Sequence, residues 1–597
     1  MLGFARWRVG YLAAVCLMRV VQTAVAAAPN AASARLHKLF AEDWEWNLRD
    51  QPTWASQLGD LRFADRLTDF SPAALAARRK HLKQTDSRLR AIDRAALGTE
   101  DRLSYDLFRY ETDLWLAFDA LHGDDGIGEN WGLVGHLDGI HLGFSEAMAT
   151  TRFDDAAAYR NYLARLSALP RQFDQAIALS RKALDAGWIL PRVTVEAVPT
   201  QLDQIAGDTV EAGSWYAPFR AMPASMPPAE AERLRSAGRA LLAETVRPAL
   251  AALRRFVTDE YLPRARTSIA ASDLPGGRAY YALQMRLMTT LPGQTPEAVH
   301  ATGKAEIARI HEGIAAIARA QGFAGSPASF VRSVRARPDQ HFASGDEVLA
   351  AYGALGKRVD PLMPKLFVEL PRLPWGVVAA PPEQAGQAAY YRSGAADGSR
   401  AGYFVVDTAD PTSTAKFEMT ALLLHEAVPG HHLQTTRAAE LKNLPEFRRH
   451  AWYTAYGEGW ALYAESLGED LELYADPMQR LGRHTFEAWR AARLVVDTGI
   501  HAMGWSRQQA IDYLAEATGA DAAEVSAEVD RYIVWPGQAL GYKIGELTLL
   551  RLRREAAAAL GAKFDLRRFH NVVLDAGPLP LALLERRVKD WVARGGV

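Results

Sequence analysis

Apolar residues recur every three or four positions through most of the chain, and this spacing gathers them on one face of an α-helix. The clearest helical stretches are residues 157–187, 230–262 and 291–322. Gly187 ends the first stretch, Pro263 follows the second, and Thr295 and Pro296 form the N-cap and first turn of the third. The pattern therefore predicts a mainly α fold.

One segment interrupts the helical pattern. Residues 370–402 are rich in Pro, Gly and Ala, which predicts a loop with short extended pieces. Tyr403–Val406 then reads as a short strand, and Asp410–Ser413 carries a helix-start signal. The next predicted helix, KFEMTALLLHEAV, follows closely, so we expect a small β element beside it. An edge strand in this position can hold an extended peptide by strand addition.

The N-terminus resembles an export signal. Arg6 and Arg8 precede an apolar run and the small residues around AVAAA, which is typical of a signal peptide covering residues 1–28. The remainder is predicted to form a helical N-terminal lobe, residues 29–370, and a catalytic lobe, residues 371–597. The single cysteine, Cys16, lies in the signal, so disulfides, thiol catalysis and cysteine-ligated metal are not expected in the mature chain.

Charge and hydropathy limit the partners. The 69 basic and 70 acidic residues leave a net charge of −1, so nucleic acid is not an expected partner. Beyond the signal, no run approaches the roughly 18 apolar residues that a membrane span needs. We expect a periplasmic or secreted protein without a stable membrane span, and the sequence favours no particular oligomeric state.

The segment HEAVPGHH, residues 425–432, is close to the zinc-binding helix motif H-E-x-x-H. In that motif two histidines four residues apart share a helix face. Here the second histidine is His431 or His432, six or seven residues after His425. A straight helix would place His432 about 10 Å along the axis from His425 and would turn His431 away. The alternative is two unrelated histidines that flank a helix end.

Pro429 and Gly430 make the metal hypothesis physically possible. Pro429 removes a backbone donor and disfavours helix at Val428, and Gly430 tolerates backbone angles that other residues avoid. Together they can form a bulge that absorbs the surplus residues and returns a histidine to His425. From spacing alone, either His431 or His432 can be that histidine.

Three glutamates complete the hypothesis. Glu426 follows His425 directly, where a general base must stand to activate water at a metal. Glu458, 27 residues after His431, is the predicted third ligand. Glu465 lies seven residues further on, roughly on the same helix face, and is predicted to orient a ligand histidine through its other ring nitrogen. The alternative for Glu465 is an ordinary surface carboxylate.

HEAVPGHHLQ, YGEGWALYAE and RYIVWPGQALGYKIGEL together resemble the bacterial domain-of-unknown-function family 885. Shorter stretches such as QPTWASQLGD and DGSRAGYFVVDT extend the resemblance over most of the mature chain. More distantly, the site is similar to those of the thimet oligopeptidase and angiotensin-converting enzyme groups. This resemblance implies a large two-lobed helical metallopeptidase with a deep channel and one zinc ion.

The resemblance also ranks candidate residues. Aligning the relatives' Gly-His pair on Gly430 and His431 makes His431 the second ligand and leaves His432 beside the site. Those relatives use tyrosines on a late helix to stabilise the oxyanion that forms at the scissile carbonyl. The resemblance implies Tyr542 as the first candidate for this role and Tyr532 as the second. The alternative for both is a core or channel-lining tyrosine.

Several other residues are candidates of lower rank. His501 could also donate to the intermediate, although a structural role is the expectation, and His136 and His141 are expected to be structural or channel-lining. Tyr280 and Tyr281 are expected to be buried or to line the channel.

The function predicted from the sequence is a zinc-dependent peptidase that acts on peptides with Glu426 as general base. One alternative is a non-catalytic peptide-binding protein on the same fold. Another is a zinc hydrolase of a non-peptide amide or ester, because the same activated water serves both reactions.

Overall fold

The computed structural model describes residues 30–123, 127–128, 130–381, 388–395, 398 and 400–596. The predicted signal peptide, residues 1–28, lies outside these ranges. Helices account for most of the described chain, and the prediction of a mainly α fold with a small β element is confirmed. Within the described ranges, no helix combines the length and apolar character that a bilayer span requires.

The helices of the first part of the chain include the three that the sequence predicts most clearly. The third begins as expected, because the Thr295 side chain accepts a hydrogen bond from the Ala298 N–H. The second continues through two π-helical turns to Arg264, so Pro263 lies within its last turn instead of after it. The helices before residue 370 are α1 Ala31–Asp50, α2 Pro52–Gln57, α3 Pro72–Arg90, α4 Thr99–His122, α5 Ile140–Thr150, α6 Ala156–Asp185, α7 Val198–Ala206, α8 Ala217–Arg220, α9 Pro228–Leu241, α10 Arg247–Arg255, α11 Leu262–Arg264, α12 Gly277–Thr289, α13 Pro296–Ala320, α14 Pro327–Arg335 and α15 Gly345–Val359.

The second part of the chain carries the motif helix and the helices that pack around it. Short 3-10 turns join several of them, including one over Lys416–Glu418 that leads into the motif helix. The helices after residue 370 are α16 Met419–Glu426, α17 His431–Glu440, α18 Glu446–Arg449, α19 Thr454–Ser466, α20 Pro477–Met503, α21 Arg507–Thr518, α22 Ala522–Val534, α23 Leu540–Leu560, α24 Leu566–Leu574 and α25 Leu581–Ala593.

The small sheet has three strands, β1 Trp375–Ala379, β2 Tyr390–Arg392 and β3 Gly402–Val406. β3 confirms the predicted strand, and it occupies the centre of the sheet. It pairs in parallel with β1, Val377 opposite Phe404, and antiparallel with β2. Because both sides of β3 are paired, the expectation that this strand is an edge for substrate is wrong. Only β1 and β2 have a side of their backbone outside this sheet.

The largest hydrophobic core surrounds the motif helix. It includes Leu423 and Leu424 of α16, Trp460 of α19 and Leu540 of α23, all fully buried. The same core contains residues of α4 and α12, so helices from before and after residue 370 pack together around the site. The division into two lobes at residue 370, with a deep channel between them, stays a prediction.

Candidate functional site

The HEAVPGHH segment is a break between two helices. α16 ends at Glu426, and Ala427 leaves the helical region with φ −102° and ψ −109°. The Val428–Pro429 peptide bond is cis, and α17 begins at His431. The residues between the two helices therefore absorb the spacing that a single straight helix could not accommodate.

Position 430 requires glycine because the end of α16 leaves no room for a side chain there. Its φ of −74° and ψ of −130° lie outside the α and β regions, which agrees with the expectation of an unusual backbone conformation at this position. A Cβ at this position would lie 1.8 Å from the carbonyl oxygen of His425 and 2.4 Å from that of Leu424. The absence of a side chain lets the start of α17 pack directly on the end of α16.

Two hydrogen bonds hold the break in place. The indole N–H of Trp460, on α19, donates to the Pro429 carbonyl at 2.8 Å. The His432 N–H donates to the Ala427 carbonyl at 3.1 Å. The turn between α16 and α17 is thus tied to α19, which also carries Glu458.

This geometry brings three potential ligands together. The Nε2 atoms of His425 and His431 lie 3.6 Å and 3.4 Å from the same Glu458 oxygen, Oε2. One ligand atom from each of the three residues lies within 4.8 Å of the others, so the group could hold a metal ion. His425 and His431 are buried, and the Glu458 side chain is 16% exposed. The cluster is therefore nearly enclosed but reachable.

His432 points elsewhere. Its Nδ1 lies 3.0 Å from the Tyr391 hydroxyl of β2, and its Nε2 lies 3.1 Å from the Leu373 carbonyl oxygen. Both ring nitrogens of His432 are therefore engaged, one with β2 and the other with the segment that precedes β1. Of the two histidines that spacing left open, the structure brings His431 to the cluster.

Glu465 contacts the other face of His425. Its Oε1 lies 2.8 Å from Nδ1 of His425, and its side chain is only 1% exposed. This is the orienting contact predicted from the seven-residue spacing, and a surface carboxylate is excluded. A carboxylate in this position fixes the ring and leaves Nε2 free to bind an ion.

The charges of the cluster favour a cation. Burial alone would lower the pKa of His425, but the flanking Glu458 and Glu465 carboxylates outweigh it and raise that pKa to about 9. Burial would raise the pKa of Glu458, yet the His431 and His425 rings hold it well below its usual range. The site thus stabilises positive charge between its ligands.

Glu426 lies beside the cluster in a buried setting. Burial raises the pKa of its carboxyl, and the neighbouring His425 and His431 counteract that rise only in part. The residue is 8% exposed. A carboxylate whose pKa lies above its ordinary value is a stronger proton acceptor, which suits the predicted general base.

Tyr542 is brought toward Glu458 by close packing of α19 on α23. A Cβ on Gly459 would lie 2.4 Å from the Gly545 Cα, so the two helices touch at a glycine pair. Burial raises the pKa of Tyr542, and the Glu458 carboxylate raises it further. The Arg493 guanidinium lies 4.4 Å from the centre of the Tyr542 ring. Tyr542 is therefore a neutral phenol next to the candidate ligands.

The Tyr532 hydroxyl forms its hydrogen bonds within the core. Its hydroxyl donates to Glu528 at 2.8 Å and accepts hydrogen bonds from Arg493 Nε at 2.9 Å and Trp489 Nε1 at 3.2 Å. The side chain is fully buried. The prediction of Tyr532 as a second oxyanion donor is not supported, because its only proton is already committed to Glu528.

The lower-ranked candidates have structural partners. His501 accepts from the Ala271 N–H at 3.1 Å and contacts the Tyr532 carbonyl at 2.9 Å. His136 lies 2.9 Å from the Thr194 carbonyl, and His141 lies 3.0 Å from the Gln201 side-chain oxygen.

Tyr280 and Tyr281 are both buried, as expected. The Tyr281 hydroxyl donates to Asp497 at 2.5 Å, and the Gly537 N–H donates to both oxygens of the same carboxylate. Gly537 has a φ of +82°, which glycine adopts without strain. This contact fixes the turn that precedes the helix of Tyr542.

An aromatic residue also lies at the site, and the sequence pattern does not predict it. The Trp452 ring lies 6.1 Å from the His431 ring, centre to centre, and the residue is 52% exposed. Its position six residues before Glu458, just ahead of α19, was the available signal. Trp460 was also missed, because no spacing rule links it to the Pro429 carbonyl.

Comparison with known proteins places the chain in a family. A model described as bacterial protein of unknown function (DUF885) matches residues 52–588. A crystal structure of a putative lipoprotein from Colwellia psychrerythraea is 28% identical, with a TM-score of 0.88, and the match covers 94% of this chain and 100% of that one. A putative lipoprotein of unknown function from Shewanella oneidensis is 17% identical with a TM-score of 0.73, covering 93% and 98%, which shows a shared fold. No curated protein matches the sequence. The chain belongs to the DUF885 family of bacterial proteins.

Proposed function

We propose that the protein is a zinc-dependent peptidase whose centre is formed by His425, His431 and Glu458. The observation that carries this proposal is the convergence of two Nε2 atoms on one Glu458 oxygen at 3.6 Å and 3.4 Å. These separations exceed the 2.7–3.2 Å typical of hydrogen bonds. They are close to the roughly 3.3 Å between ligands of a tetrahedral zinc ion with bonds of about 2.0–2.1 Å.

The surroundings of the three residues support the same ion. Glu465 holds His425 through Nδ1, which is the usual support for a histidine that binds metal through Nε2. Imidazole nitrogens with one carboxylate form a common ligand set of catalytic zinc. Three protein ligands also leave a position for water or substrate.

The chain supplies the groups that hydrolysis needs. A zinc ion held by His425, His431 and Glu458 would supply Lewis-acid chemistry, polarising the scissile carbonyl and lowering the pKa of water. Glu426 accepts the proton that this water loses and delivers it to the departing amine. Tyr542 keeps its phenolic proton because its pKa is raised, so it can donate a hydrogen bond to the carbonyl oxygen as negative charge develops there.

An extracytoplasmic location fits this function. The two similar structures are of proteins described as putative lipoproteins. The residues before position 29 have the composition of an export signal. We infer that the enzyme acts on peptides outside the cytoplasm.

The test is mass spectrometry of the products that the purified protein releases from a mixed peptide library. Three samples are compared: protein with zinc, protein stripped by a chelator, and stripped protein with zinc restored. The proposal predicts cleavage in the first and third samples only.

The alternatives give different outcomes in this experiment. A peptide-binding protein without catalysis would retain library peptides but release no products. A zinc hydrolase of non-peptide amides or esters would bind one zinc ion per chain and leave every library peptide intact. Either result would refute the proposed peptidase.

A further inference from the structure

Trp452 is an exposed aromatic side chain in a fixed position beside the candidate centre. It precedes Tyr453, whose carbonyl accepts hydrogen bonds from the Tyr456 and Gly457 N–H groups at 2.9 Å. The Tyr453 hydroxyl in turn donates to Glu111 of α4. The backbone next to Trp452 is thus anchored to both α19 and α4.

The indole rests on the backbone of α19. A Cβ on Gly457 would lie 2.3 Å from Cη2 of Trp452 and 2.7 Å from two further atoms of the same ring. Only glycine at position 457, immediately before Glu458, leaves room for the ring. On another side the indole meets the His431 ring at 6.1 Å with an interplanar angle of 47°.

The rest of the indole is accessible. Trp452 is 52% exposed, although a large apolar ring gains free energy when it is covered. Leu61, Trp115, Val368 and Leu370 are the other large hydrophobic residues exposed in the part of the chain described. Among these five, Trp452 is the one with a ring contact to a member of the cluster.

The position of the indole fits one part of a peptide substrate. The scissile carbonyl must reach the cluster, and the side chains of the two residues that flank it begin within about one Cα spacing, roughly 3.8 Å. An aromatic ring at 6.1 Å from the His431 ring lies within reach of such a side chain. Stacking or apolar contact there would cover the exposed face of the indole.

We propose that Trp452 forms an apolar subsite for the side chain of one residue that flanks the scissile bond. The substrates are then peptides with an aromatic or large aliphatic residue at that position. This inference rests on the proposed peptidase function and names a residue that determines its specificity.

The experiment compares the zinc-loaded wild type with the Trp452→Ala and Trp452→Phe variants on the peptide library and on a peptide pair. The pair differs only in Phe or Ala at the position where the library shows enrichment. The wild type is expected to favour the Phe peptide in kcat/KM by about 10- to 100-fold, the range typical of filling an apolar pocket. Trp452→Ala is expected to remove most of this ratio, and Trp452→Phe to keep most of it.

Two controls separate recognition from structure. Trp115→Ala removes another exposed tryptophan, on α4, and is expected to leave the Phe-to-Ala ratio unchanged. Zinc content of Trp452→Ala is expected to equal that of the wild type, because the side chain does not bind the ion, and thermal unfolding is measured to confirm that the variant remains folded at the assay temperature.

The outcomes are distinguishable. Hydrolysis by the wild type without preference at either flanking position, or a preference that survives in Trp452→Ala, overturns this inference and leaves the peptidase function standing. Absence of any peptide hydrolysis by the zinc-loaded wild type overturns the proposed function and the inference together.

Discussion

Gly430→Ala is predicted to separate the two candidate histidine ligands while the rest of the fold persists. The new Cβ would lie 1.8 Å from the His425 carbonyl oxygen, whereas real contacts of this kind are not shorter than 3.0 Å. The end of α16 and the start of α17 must therefore move apart by at least about 1.2 Å, the difference between these two distances. Metal–ligand distances tolerate changes of only about 0.2 Å.

Two measurements follow from this displacement. Zinc affinity, measured by competition with a chelator of known affinity, is expected to fall by at least about 100-fold, since even loss of a supporting contact costs about 10- to 100-fold. The free energy of unfolding is expected to fall by about 1–3 kcal/mol, the usual cost of overpacking a buried position.

The matched control is Gly353→Ala. Gly353 lies in α15, and a Cβ there would meet no atom within 4 Å. The same substitution should therefore stabilise the chain by about 0.5–1 kcal/mol and leave zinc affinity unchanged. If Gly430→Ala binds zinc as tightly as Gly353→Ala, the idea that close packing of the two helices builds the site is refuted.

Four further predictions concern other residues. His431→Ala is expected to lose zinc binding, whereas His432→Ala is expected to keep it and to lower the melting temperature; the reverse pattern would make His432 the ligand. Glu465→Gln should weaken zinc binding by about 10- to 100-fold in a chelator competition, and unchanged affinity would rule out its orienting role. Tyr542→Phe should lower kcat by about 100- to 1000-fold, as loss of an oxyanion donor does, and should leave zinc content unaffected. A kcat equal to that of the wild type would exclude Tyr542 as the oxyanion donor. Burial raises the pKa of Asp497 to about 7 from 3.8, so the folded state keeps a proton that the unfolded chain loses first. Stability should fall as pH rises from about 4 to 7, by on the order of 4 kcal/mol at most, and Asp497→Asn should abolish this component of the melting profile; an unaltered profile would contradict the assignment.

Local sequence rules predict much of this molecule because they depend on neighbouring residues. The helix that begins after Thr295, the strand around Phe404 and the seven-residue spacing of Glu458 and Glu465 all follow from backbone periodicity. Each of these features needs only the geometry of one element, so no tertiary information was required.

The remaining features depend on contacts between elements. Spacing could not choose between His431 and His432, because the choice is made by Tyr391 and the Leu373 carbonyl, which hold His432. The sequence predicts an unusual backbone conformation at Gly430, but it does not reveal that the His425 carbonyl leaves no room for a side chain there.

The two other discrepancies have the same origin. β3 is central because β1 and β2, from a loop-like region, pair on both of its sides. The Tyr532 hydroxyl donates its hydrogen bond to Glu528, four residues earlier on the same helix, so this proton is already engaged within the core.

The central claim is that Glu426 activates water at a zinc centre formed by this chain. It is tested most directly by peptide turnover of Glu426→Gln beside the wild type, with zinc measured in the same samples. One zinc ion per chain is expected in both proteins, with hydrolysis by the wild type alone. Turnover by zinc-loaded Glu426→Gln at the wild-type rate would contradict it.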